Sequence, residues 1–328
     1  MPVNKFELIR SQSGMDWSKE TVPEAAMDDL DPEAVSYARI MFSQRPGDGK
    51  APNEILSGLS DIDVLDKAGL CIEGKITRAA LLLLGKPESA SYFDGFTPGI
   101  TWTLYCADNT VRAYEHFDMP FLLAADKVCA KIRNEKYRYL ADPKSLFPEE
   151  VREYDEDLVR EVINNCIAHS DYRRLGKINV EEFEDHLVFI SEGSFIPETV
   201  EQALEPGYRP PYYRNAFLYR SMVSMRMIDP DTMGIPGIYE IQKKRCFPLP
   251  SYDLDVPDRV RVTIYGRVLS KNYTHILHSN RDMDLRTVFL LDQIQKQKTI
   301  NREDCKMLKK KGLAGGRYPH LFIRVITD

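Results

Sequence analysis

Three observations predict an α+β fold for this sequence. A strongly amphipathic helical stretch lies at its middle, the apolar period changes from 3.6 to 2 directly behind that stretch, and further helices and a short hairpin close the chain. The middle stretch, LVREVINNCIAHSDY at 158–172, is the centre of the pattern. At about 100° per residue, Leu158, Val159, Val162, Ile163, Cys166 and Ile167 fill one apolar arc, as a helix with one face in a core requires.

Taken in order, residues 6–10 predict a strand, followed by the polar, turn-rich stretch 11–29. Asp31-Pro32 opens a helix through Phe42, with an acidic cap and proline at the first helical position. Residues 45–52 (RPGDGKAP) read as loop. Three short helices follow over 53–85, and the four leucines 81–84 mark the last as fully buried. Strands are predicted at 100–106 and 110–114 around the turn Ala107-Asp108-Asn109, and a helix at 119–134. Pro148 is expected to begin the long central helix. Behind it, 178–183 and 186–190 alternate as a hairpin on the Glu184-Asp185 turn. A short helix from Pro197, the aromatic stretch RPPYY at 209–213, helices at 215–228 and about 237–245, and strands at 252–254 and 259–264 complete the middle of the chain. The last sixty residues predict helices at 272–277, 285–295 and 302–311, with Asn301 an N-cap, then a Gly-Gly turn and an alternating strand. Three helices and a basic hairpin predict a winged helix.

The 328 residues exceed one typical domain, so two or three units are expected. A net charge of −6 argues against a globally basic nucleic-acid binder and confines any such contact to a local patch. Lys306, Lys309, Lys310, Lys311 and Arg317 form that patch, whose plain alternative is a solvated helix face. Six cysteines show no C-x-x-C or zinc spacing and read as reduced thiols; no apolar run reaches membrane-spanning length. A cytoplasmic protein without a membrane partner is expected, and self-association into a homo-oligomer stays open.

Glu161, Asn165 and His169 recur every fourth residue along the border of the apolar arc. Half-buried polar groups there need partners, because leaving one unpaired costs about 1–3 kcal/mol. Those partners are protein groups or a ligand. For His169 the favoured reading is a cationic cap on the helix C-terminus, worth about 0.3–1 kcal/mol.

Several stretches together resemble bacterial RecG-related or Schlafen-like transcriptional regulators: ITRAALLLLGK (76–86), REVINNCIAHSDY (160–172), RNAFLYRSMVSMRMIDPDTMGIPGI (214–238), RCFPLPSYDL (245–254) and KGLAGGRYPHLFI (311–323). The resemblance implies a remnant of an AlbA-type Schlafen domain over 1–50, a divergent GHKL-like ATP-binding α/β sandwich over 51–266, and a winged helix over 267–328. Glu161-x-x-x-Asn165 resembles the GHKL N-box. It implies that Glu161 is the catalytic residue, orienting a water, that Asn165 ligates Mg2+, and that Asn165, His169, Gly193, Gly234 and Gly237 bind ATP. A hard cation that keeps its waters while bridging phosphates needs few protein oxygens, so one amide is enough.

Three departures accompany the resemblance. The chain starts at what resembles the last strand of the Schlafen domain. No Asp-x-Gly-x-Gly adenine box is present; Ser191-Glu192-Gly193-Ser194 stands where the regulators carry Asn-Pro-Gly-Gly. Pro236 replaces a glycine of the later loop, removing one N–H and fixing φ near −65°, which weakens a phosphate cradle. The same proline also suits the first turn of a helix. The implied function is a nucleotide-responsive, DNA-binding transcriptional regulator. The alternative is a protein-interaction module with a decayed nucleotide site, and a weak ATPase ranks third. No G-x-x-x-x-G-K-[ST] loop supports helicase activity.

Overall fold

The structure, a computed structural model, describes residues 16–44, 52–142, 144–229 and 234–324. The strand expected at 6–10, Met233 of the glycine loop and most of the 45–52 loop lie outside the described residues. Helix α1 (Pro32–Ser43) starts where Asp31 accepts the N–H groups of Glu33 and Ala34. Helices α2 (Pro52–Leu56) and α3 (Asp61–Lys67) follow, the latter closed by a Ser60/Asp63 capping box. A hairpin of two-residue strands, β1 (Cys71–Ile72) and β2 (Lys75–Ile76), precedes α4 (Arg78–Leu84), whose four leucines are completely buried.

Strands β3 (Gly99–Tyr105) and β4 (Val111–Asp118) pair antiparallel, and α5 (Phe121–Lys131) packs on them. Strands β5 (Lys136–Tyr139) and β6 (Glu149–Arg152) then form a separate hairpin. This corrects the helix expected to begin at Pro148. Glu150 bridges to Lys136 and Arg138 across the strand pair, and the central helix α6 (Glu156–His169) instead starts at Asp155, which accepts the Leu158 N–H. Strands β7 (Ile178–Glu182) and β8 (His186–Glu192) form the expected hairpin.

Helices α7 (Val200–Ala203), α8 (Ala216–Ser224) and α9 (Ile235–Lys244) lead to β9 (Ser251–Asp253) and β10 (Arg259–Tyr265). The sheet has six strands in the order β4-β3-β7-β8-β10-β9; β3 and β7 run parallel and the other neighbours antiparallel. A mixed α+β architecture is therefore what the chain adopts, as its periodicities predict. Helix α6 lies against β8 and between α5 and α9, and its apolar arc is buried in the main core.

Helices α10 (Lys271–Ser279), α11 (Leu285–Gln295) and α12 (Arg302–Lys310) and the hairpin β11 (Ala314–Arg317) with β12 (His320–Ile323) build a second core. Tyr239 of α9, Cys246 and Leu249 belong to it as well, so α9 joins the two cores. Gly315 and Gly316 lie within β11, and the turn falls at Tyr318-Pro319; this corrects the expected Gly-Gly turn. Phe322 supplies one reason, since a Cβ on Gly315 would stand 2.5 Å from its ring. Gly316 sits at φ +96°, where a side chain is strained. Among the described residues no helix is long and apolar enough to cross a membrane.

Candidate functional site

The polar stripe of α6 opens onto a cavity of about 260 Å³, lined by Glu161, Asn165 and His169 from the helix and by Gly234 at the start of α9. Its other walls are mainly apolar and aromatic, with Phe195, Tyr208, Tyr213, Tyr219 and Tyr252 among them. Because Glu161, Asn165 and His169 are spaced by four, one face of one helix delivers all three to the same wall.

Glu161 is 4% exposed, and its Oε1 accepts the backbone N–H of Gly234 at 2.9 Å and the Asn165 amide at 3.1 Å. Burial pushes its carboxyl up to about 7, with the negative charge of Asp229 adding to the rise and the Gly234 and Asn165 hydrogen bonds opposing it. Helix α9 has no side-chain cap; Gly234, at φ +91°, stands at its N-cap. The helix N-terminus is a positive dipole end, and the anion it meets is Glu161. Pro236 occupies the first turn and lines the cavity without supplying an N–H. Asn165 turns its Nδ2 to Glu161. Among the described residues, no group of three or more His, Cys, Asp or Glu could hold a metal ion.

His169 is not a cationic cap. Its ring stacks on Tyr213 at 6.0 Å and approaches Tyr219 at 6.4 Å; burial, then the neighbouring Arg214 charge, lowers its pKa to about 4, so it is neutral at pH 7. Two residues that the sequence reading passed over close the helix end instead. Arg214, 4% exposed, donates through Nη1 to the His169 carbonyl and through Nη2 to the Ser194 carbonyl. Asn215, 2% exposed, donates to the carbonyls of Ala168 at 3.0 Å and Ser170 at 2.8 Å. The signal available in the sequence is this Arg-Asn pair directly ahead of an apolar helical run. Asp171 accepts the backbone and side-chain N–H groups of Arg173 and is a local cap.

Gly193 and Gly237 are not among the residues lining the cavity. Gly193 makes room for Arg214: at φ +116°, a Cβ there would lie 2.7 Å from Nη1. Gly237 lies in the first turn of α9. Lys306, Lys309, Lys310, Lys311 and Arg317 are all exposed, on α12 and the adjoining hairpin. Lys309 ties helix to hairpin by donating to the Gly316 carbonyl at 2.7 Å, and Lys311 reaches Thr287 at 3.1 Å.

Residues 176–264 match the family model described as "Putative ATP-dependent DNA helicase recG C-terminal", and residues 7–96 match that described as "Domain of unknown function (DUF8451)". The first match spans β7 to β10, including the strand floor of the cavity and α9, and supports a RecG-related, ATPase-like domain there. No curated protein matches the chain. Among solved structures, the DIP2311 protein from Corynebacterium diphtheriae is similar with a TM-score of 0.60 at 19% identity. The likeness covers 98% of this chain and 66% of that one, so this chain spans just under two thirds of that protein's length. At this identity it concerns the fold.

Proposed function

We propose that the protein is a nucleotide-responsive, DNA-binding transcriptional regulator, divided into 1–50, 51–266 and 267–328. The middle unit takes ATP as its magnesium complex, and the C-terminal unit, read as a winged helix, takes DNA. The observation that carries the reading is the opening of Glu161, Asn165 and Gly234 onto one cavity whose floor belongs to the stretch matching the RecG C-terminal model. Asn165 is the residue to hold magnesium through Oδ1, a hard oxygen donor suited to that ion. When bound, magnesium supplies positive charge to the phosphates. Glu161, nearly buried and titrating near 7, is suited to orient a water or accept a proton, which would make any turnover pH-dependent.

Helix α9 supports the coupling of the two units, because its N-cap residue Gly234 donates to Glu161 while Tyr239 sits in the second core. A ligand that favours one position of α9 biases the C-terminal unit by its differential affinity for the two positions. The exposed cluster Lys306, Lys309, Lys310, Lys311 and Arg317 favours phosphate contacts, predicting salt-sensitive and mainly non-specific DNA binding.

The test is calorimetric titration with Mg-ATP. Binding by the wild type that weakens in Asn165→Ala supports the proposal; no heat in the wild type, or equal affinity in the variant, overturns it. For DNA, Lys306→Ala/Lys310→Ala should flatten the dependence of log affinity on log salt by up to about 1.8, at roughly 0.9 per lost phosphate contact.

Two observations favour a second reading, a protein-interaction module with a decayed nucleotide site. No lysine or arginine lines the cavity among the described residues, and Pro236 removes a donor from the helix start. Thermal shift with Mg-ATP separates the readings, since a ligand at 100 times its Kd stabilises by about 2.7 kcal/mol.

A further inference from the structure

Strand β11 carries two glycines where a strand ordinarily presents side chains, and Phe322 of β12 fills the space. A Cβ on Gly315 would stand 2.5 Å from Cζ of that ring, and one on Gly316 would stand 3.3 Å from its Cδ1, so the ring lies across both residues. Glycine is what admits it. Gly315 is buried beneath, whereas Phe322 stays 58% exposed. Gly315 pairs with Phe322 and Arg317 with His320, and side chains alternate along a strand, so Arg317 and His320 share the face on which the ring lies. Both are exposed, as is Arg324, whose Nε lies 3.2 Å from the same Gly315 Cβ position. The outer face of the hairpin thus sets one open aromatic ring among two arginines and a histidine. Helix α12 extends the positive charge. Its exposed Arg302, Lys306 and Lys309 recur at helical spacing on one side, and that side adjoins the hairpin: the Arg302 guanidinium stands 5.2 Å over the Tyr318 ring, and Lys309 donates to the Gly316 carbonyl at 2.7 Å. Between 302 and 324 the acids are Glu303 and Asp304, far outnumbered by Lys and Arg, although the whole chain carries −6. Asp304 is buried and paired with Arg286 at 3.2 Å.

Resting on the DNA-binding reading of the C-terminal unit, we infer that this surface takes single-stranded DNA, with phosphates along the basic side of α12 and an unpaired base stacked on Phe322. A duplex hides its base faces in its own stack, so to a duplex the exposed ring adds nothing to what the lysines supply. An unpaired base has a free π-face. Stacking one base on an aromatic side chain strengthens binding by about 5- to 150-fold, and a guanidinium beside the ring adds a cation–π contact. The selectivity is for the form of the strand and not its sequence, since every base has such a face. A membrane is the poorer fit, because one ring flanked by arginines buries too little apolar area to hold a bilayer surface.

The experiment is fluorescence anisotropy titration of the full chain with a labelled oligothymidylate of about 12 nucleotides and a labelled duplex of about 12 base pairs at the same salt, alongside co-sedimentation with vesicles of phosphatidylserine and phosphatidylcholine. Phe322→Leu, confirmed as folded by circular dichroism, keeps an apolar side chain and removes the ring. It should weaken oligothymidylate binding by about fivefold or more while leaving duplex affinity within about twofold, and Phe322→Trp should restore the single-strand affinity. An oligothymidylate affinity unchanged in Phe322→Leu, or an equal loss for strand and duplex, overturns the inference and leaves the DNA reading intact. So does a wild type that binds the duplex and not the oligothymidylate. Attachment to vesicles that depends on Phe322, without oligothymidylate binding, overturns it in favour of a lipid surface. Failure of the wild type to bind either oligonucleotide removes the DNA reading and this inference together.

Discussion

The backbone N–H of Gly234 donates to Oε1 of Glu161 at 2.9 Å, joining the start of α9 to the middle of α6 across 73 residues of sequence. The contact places a carboxylate at a helix N-terminus, where the backbone dipoles favour negative charge. Burial acts the other way and wins, which is why the Glu161 carboxyl is raised from its ordinary 4.5 to about 7.

That shift has a definite sign in stability. A carboxyl with a raised pKa holds its proton more tightly in the folded chain than in the unfolded one. Its contribution is fully present below 4.5 and is lost as pH rises through about 7. Glu161→Gln imitates the protonated form at every pH. Urea unfolding should therefore show the variant gaining on the wild type by about 3 kcal/mol between pH 4.5 and pH 8. A constant difference across that range would mean that Glu161 ionises as it does in water.

His169 gives the opposite slope. Its pKa falls from 6.5 to about 4, so the unfolded chain takes up the proton first and stability declines as pH drops from 6.5 toward 4. His169→Phe keeps a ring against Tyr213 and cannot titrate. Between pH 7 and pH 4 the wild type should lose about 3 kcal/mol relative to this variant in the same urea assay. Parallel acid profiles for the two proteins would contradict a neutral, half-buried imidazole.

These residues also mark where the sequence is readable. The α+β class and the one-sided polar stripe follow from local periodicity: spacing by four puts Glu161, Asn165 and His169 on one helix face whatever surrounds it. What surrounds it is not local. Neutral His169 follows from the packing of Tyr213 and Tyr219 and the charge of Arg214, none of which helical spacing reports. The helix expected from Pro148 gave way to strand pairing with 136–139, a contact that only the fold supplies. Strands β1 and β2 are two residues each and leave no period to detect. Gly193 was legible as a glycine with a purpose, but that purpose is space for Arg214.

Asn215 closes the end of α6, donating to the carbonyls of Ala168 and Ser170 from a position 2% exposed. Removing the amide leaves two buried acceptors without that donor, at about 1–3 kcal/mol each. Asn215→Ala should thus lower stability by about 2–4 kcal/mol, read from the urea midpoint. Backbone amides in the last turn of α6 should exchange faster with solvent in the variant. A loss below about 0.5 kcal/mol would show that water replaces Asn215 at this helix end.

The buried pair Asp292–Lys296 tests how the second core is fastened to the middle of the chain. Lys296 Nζ lies 2.6 Å from Asp292 Oδ2, and the two side chains are 6% and 1% exposed. Both also hold Leu249: its N–H donates to Asp292, and its carbonyl accepts from Lys296. Asp292→Leu strands a buried ammonium and should cost about 3–5 kcal/mol. Adding Lys296→Met removes that stranded charge, so the double variant should be more stable than Asp292→Leu alone, while the Leu249 N–H still lacks its partner. If the two losses simply add in urea unfolding, the charges are independently solvated and the clamp on Leu249 is not the joint between α11 and the segment entering β9.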